Sequence, residues 1–149
     1  MALQQQIDQD IKSAMLAKNA SRLRGLRAIK AAVLLAKTEK DASENLSDEA
    51  ETRVLQKLVK QRKESAGIYQ AQQRNDLYQI EMEELEVIEA YLPAQMSQEE
   101  IIAYVNKVIS STGASGMKDM GKVMGMLNKD LAGKADGKNV SEAVKQALQ

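Results

Sequence analysis

No cysteine and no histidine occur in this chain of 149 residues, and phenylalanine and tryptophan are missing as well. Without cysteine there is no disulfide, thiolate nucleophile, redox couple or cysteine metal site. Without histidine the commonest general base near neutral pH and the commonest zinc ligand are gone, so a histidine-based triad is ruled out. No cofactor and no metal are expected. No apolar run approaches the roughly 20 residues that cross a bilayer, so no membrane partner is expected. The opening stretch, MALQQQIDQDIKSAM, is polar and contains acids. It predicts neither a secretory nor a transit peptide, and the expected address is cytoplasmic.

What is present is aliphatic. Apolar residues make up 44% of the chain and charged residues 28%. Ala, Leu, Lys, Gln, Glu and Met dominate, and all of them favour helix. Leu3, Ile7, Ile11, Ala14 and Met15 share one face of a helix predicted over 3–17. A break follows, with Asn19 or Ser21 as a cap. Leu26, Ile29, Val33 and Ala36 then mark a second helix, and 38–46 reads as a loop. Ser47 is positioned to cap a long third helix, with Asp48, Glu49 and Glu51 favoured in its first turn by the helix dipole. A turn at 72–76 leads to a fourth helix over about 77–92, which the single proline, Pro93, stops.

Ser97 and Glu100 stand at the spacing of a capping box and open a fifth helix, which Gly113 is placed to close in the left-handed conformation. A sixth is predicted over about 117–131, and a seventh carries Val140, Ala143, Val144, Ala147 and Leu148. No alternating strand pattern occurs. The expected class is all-α, with an N-terminal helical domain of about four helices (1–93) and a compact three-helix module (94–149).

A formal net charge of zero hides an uneven distribution. Residues 1–40 carry eight basic and three acidic side chains, residues 41–97 six and twelve, and residues 98–149 seven and six. Segments of opposite sign usually pair within one folded unit, and a basic face left free for nucleic acid is the alternative. Arg24, Arg27 and Lys30 on the second helix, with Lys60, Arg62 and Lys63 on the third, form a secondary basic patch. No aromatics interleave with it, which points to phosphates or shape and away from base stacking. The acidic run Glu81, Glu83, Glu84, Glu86 and Glu89 spreads around its helix and matches no calcium-loop spacing.

The sixth helix carries the most informative pattern. At about 100° per residue, Met117, Met120, Val123, Met124, Leu127 and Leu131 fall on one face. Lys118, Lys122 and Lys129 form a strip to one side, with Gly121 and Gly125 between the two. Interior glycine costs a helix about 1 kcal/mol relative to alanine, so the bare surface needs a use. Either a neighbouring helix packs closely there, or a phosphate backbone or partner chain approaches beside the lysines. Gly133-Lys134-Ala135-Asp136-Gly137-Lys138 lacks the spacing of a nucleotide phosphate loop. It reads as a turn that displays Lys134 and Lys138 beside a helix N-terminus, where backbone N–H groups favour an anion.

The sequence resembles the YqeY-like family over essentially its whole length. The resemblance rests on Arg27, Lys30, Lys60-Gln61-Arg62 with Ser65, and Glu89-Ala90-Tyr91-Leu92-Pro93. It continues through 112–124 (TGASGMKDMGKVM), then 133–138 with Val140, Val144 and Leu148. The C-terminal part is similar to the tail domain of the B subunit of the tRNA-dependent glutamine amidotransferase. This likeness implies a helical domain followed by a three-helix module. In the amidotransferase the tail helps hold tRNA, while kinase and amidase chemistry belongs to other domains. The family commonly carries the label of a carbon–nitrogen ligase with glutamine as nitrogen donor, yet the residues here offer no means of that reaction alone.

The expected function is a tRNA-associated accessory protein, with tRNA and amidotransferase or other translation-related proteins as partners. Lys118, Lys122, Lys129, Lys134 and Lys138 would contact phosphates, and Gly121 and Gly125 would allow close approach. A helical adaptor binding only protein is the alternative.

Overall fold

The computed structural model describes residues 2–39 and 46–149, and among them every regular element is helical. The all-α expectation holds. In chain order the helices are α1 (Leu3–Leu16), α2 (Ala20–Glu39), α3 (Asp48–Ala71), α4 (Asn75–Glu89), α5 (Gln98–Thr112), α6 (Met120–Asp130) and α7 (Gly137–Leu148). A short 3-10 turn, Met117–Asp119, leads directly into α6. Most of the predicted 38–46 loop lies outside the described residues. No helix is long and apolar enough to cross a membrane among the described residues.

Local chemistry explains most of the boundaries. Asn19 opens α2, its Oδ1 accepting the Arg22 N–H at 3.1 Å. The Ser47 and Ser97 hydroxyls accept the N–H groups of Ala50 at 3.2 Å and Glu100 at 3.1 Å, satisfying donors that have no partner within the helix. Gly113 closes α5 at φ 72°, a conformation that a side chain would strain. α4 starts two residues earlier than its periodicity predicts and ends at Glu89. Residues 90–92 tighten into a turn in which Tyr91 and Leu92 donate to Ile88 and Glu89, because Pro93 disfavours helical geometry in the residue before it.

The chain divides into two compact units, Met1–Leu92 and Pro93–Gln149. In the first, α4 packs on α3 and on α2, and α1 packs on α2. Ile7, Leu26, Ile29, Leu55 and Ile88 are among the side chains of its core. Gly25 lies where α2 meets α4, and a Cβ there would come within 2.7 Å of the Val87 Cβ. The second unit packs α5, α6 and α7 around Ile101, Val105, Val123, Leu127 and Val144, each at 1% exposure or less.

Charges of opposite sign meet inside the first unit. Arg24 reaches Glu83 at 2.8 Å, Lys30 reaches Asp8 at 2.8 Å, and Lys63 lies 3.8 Å from Glu89. Arg62 sits between Glu84 at 3.0 Å and Glu81 at 3.7 Å. Burial pushes the Glu81 carboxyl above its usual range, partly offset by the Arg62 charge.

Candidate nucleic-acid interface

The second unit presents its cations differently. Val123 and Leu127 turn inward, and helical geometry puts Lys122, Gly125 and Lys129 on the side of α6 that faces away from them. Lys118 is exposed in the 3-10 turn just before, and Lys134 and Lys138 are exposed between α6 and the first turn of α7. None of these five lysines belongs to an ion pair among the described residues. Several of the nearby acids have local partners instead. Asp119 Oδ2 accepts the Ser115 N–H at 3.0 Å, Asp130 accepts the Tyr104 hydroxyl at 2.9 Å, and Asp136 Oδ1 accepts the Lys138 N–H at 3.3 Å. The bond to Asp130 is the main reason the Tyr104 hydroxyl is pushed above its ordinary value.

Of the two uses proposed for the glycines, packing against a neighbouring helix is absent. A Cβ on Gly121 or Gly125 would meet nothing within 4 Å. The 3-10 turn also places Gly121 in the first turn of α6, so the interior-helix penalty applies to Gly125 alone. Both positions are open backbone. The methionines divide as well: Met120 and Met124 pack on the core, whereas Met117 and Met126 are 47% and 40% exposed.

The start of α7 is capped by the Asp136 carboxylate, so the anion seat at that helix N-terminus is filled from within. Lys134 and Lys138 can reach a partner only with their own ammonium groups. The turn between α6 and α7 is braced by residues just past the expected domain boundary at 93/94. Met96 N–H donates to the Lys134 carbonyl at 2.8 Å, and Gln95 Nε2 donates to the Gly133 carbonyl at 2.8 Å. No periodicity or motif could reveal contacts made across 38 residues.

The secondary patch is sorted by the fold. Arg24, Lys30, Arg62 and Lys63 are engaged with carboxylates, while Arg27 and Lys60 are exposed and in no ion pair. Arg53 and Lys57, exposed and without an ion pair, lie on the same side of α3 as Lys60. Among the described residues no three carboxylates gather as a metal would require.

Comparison with known proteins shows the family. A family model described as "Yqey-like protein" matches residues 4–148. The chain belongs to the YqeY-like family. Curated relatives of this YqeY-family chain carry the name "Altered inheritance of mitochondria protein 41, mitochondrial". The one from Clavispora lusitaniae is 33% identical over 134 residues, covering 88% of this chain and 77% of the relative. That from Meyerozyma guilliermondii is 32% identical over 127 residues, covering 81% of this chain and 64% of the relative. A third, from Pyrenophora tritici-repentis, is 29% identical over 143 residues, covering 93% and 77%.

These relatives correct one expectation. The cytoplasmic address drawn from the polar opening residues does not stand, because all three relatives are named as mitochondrial proteins. Each relative also extends beyond the matched stretch.

Proposed function

We propose that this YqeY-family protein is a tRNA-associated accessory factor, linked to tRNA-dependent transamidation, that binds and orients without performing carbon–nitrogen ligation by itself. One observation carries the reading: the side of α6 facing away from the core joins unpaired lysines to the side-chain-free backbone of Gly125. Lysines held on one rigid helix suit the phosphates of a nucleic acid, and bare backbone lets a phosphate chain come close. The likeness of the C-terminal part to the amidotransferase tail supplies the choice of tRNA. A sequence without histidine or cysteine agrees with chemistry done by a partner.

Fluorescence anisotropy with the full chain and labelled tRNA tests the proposal. Neutralising five phosphates gives log affinity against log salt a slope of roughly −3.5 to −4.5. Lys118→Glu/Lys122→Glu is expected to weaken binding at least about tenfold, through lost attraction and added repulsion. Absence of binding at low salt overturns the proposal. The exposed Met117 and Met126 favour a second reading, a helical adaptor for another protein. Co-purified partners that survive nuclease treatment would support it.

A further inference from the structure

We infer that the nucleic-acid element taken by the α6 face is a paired, helical backbone read through its phosphates alone, and neither a single strand nor a base sequence. This inference rests on the RNA-binding reading above and narrows it. The chemistry of residues 93–149 sets the limit. All seven of their cations are lysines, with no arginine among them. Arginine supplies the planar fork that grips a guanine edge or stacks on a base, and lysine is a point charge that does neither well.

The one aromatic residue of this unit, Tyr104, is half-buried against the core with its hydroxyl committed to Asp130. Single-strand binding draws its affinity from aromatic platforms on which successive bases stack, and this surface offers none. What it offers is charge fixed on a helix with bare backbone between. A duplex matches that arrangement better than a single strand, because it is stiff and carries more charge per unit length. Each neutralised phosphate contributes about 0.9 to the salt slope on a duplex and about 0.7 on a single strand.

The experiment is competition against labelled tRNA bound to the full chain, with three unlabelled RNA probes. These are a short duplex, the same duplex with its base pairs permuted, and single-stranded polyuridine, all matched in phosphate concentration. The two duplexes should compete within about threefold of each other, and polyuridine should need at least about tenfold more. Lys122→Gln should lower the slope measured on the duplex by about 0.9. Polyuridine requiring less than that excess, or a larger spread between the two duplexes, overturns the inference while leaving tRNA binding intact. Failure of tRNA itself to bind at low salt removes the parent reading and this one together.

Discussion

Tyr91 donates its hydroxyl proton to the carboxylate of Asp10, tying the turn after α4 to the middle of α1. Gln6 Nε2 donates to the same carboxylate at 3.1 and 3.2 Å, and the Arg22 guanidinium lies 3.9 Å away. The bond from Tyr91 is the main reason Asp10 titrates below its usual range. Burial, helped by the bond to Asp10, pushes the Tyr91 hydroxyl from 10.0 to about 12. The motif Glu89-Ala90-Tyr91-Leu92-Pro93 thus serves the packing of the first unit.

Tyr91→Phe removes that bond and should destabilise the first unit by about 1–2 kcal/mol near neutral pH. The signs of the two shifts set the pH window. A depressed Asp10 stabilises above the unfolded carboxylate value of about 3.9, and its contribution is lost as pH falls through the lower folded value. A raised Tyr91 contributes fully below 10.0, and its contribution is lost as pH rises through about 12. Denaturant titrations of both proteins across pH should show the difference shrinking at each extreme. An equal difference at every pH would refute the assignment.

Gly25→Ala should destabilise, although alanine is the better helix former by about 1 kcal/mol. The new Cβ would sit 2.7 Å from Val87 Cβ and 2.8 Å from its Cγ1, and the Cβ, fixed to the backbone, cannot swing away. Overpacking of this kind costs about 1–3 kcal/mol. Val87→Ala in the same protein should recover part of that loss, and a double-mutant cycle in urea measures the coupling.

Gly125→Ala should have the opposite effect on stability, raising it by about 0.5–1 kcal/mol, since nothing stands in the way of the methyl group. If a phosphate backbone uses the open surface, the same change should weaken tRNA binding. Thermal unfolding and anisotropy on one sample separate the two effects. A stabilised variant with unaltered affinity would remove Gly125 from the interface.

Asp136→Asn keeps a side chain able to cap α7 but removes its charge. Stability should fall by about 0.3–1 kcal/mol, the helix-dipole contribution. Affinity for tRNA should rise about threefold as a repulsive neighbour of Lys134 and Lys138 disappears. Weaker binding would mean that Asp136 helps hold the partner.

Helix identity and caps were legible in the sequence because they are short-range. Ser47, Ser97, Asn19 and Gly113 act within four residues of themselves, and Pro93 acts on the residue before it. The 3-10 turn ahead of α6 escaped because periodicity barely distinguishes a three-residue closure, here from Met120 N–H to Met117 O, from an α-helical one. Gly25 escaped for a different reason: its value lies in Val87, on a helix far along the chain. Charge counts announced that basic and acidic segments would meet. Which cations would be neutralised, and that none of the seven lysines of the second unit would enter an ion pair among the described residues, depended on how the helices were rotated.

The donors supplied by Gln95 and Met96 bear on how this protein can be divided. A fragment begun at the Ser97 cap would retain α5, α6 and α7 whole. It would nonetheless leave the carbonyls of Gly133 and Lys134 facing water, and the loop between α6 and α7 free to swing. The shortest piece that keeps both donors on its cationic hairpin starts at Gln95.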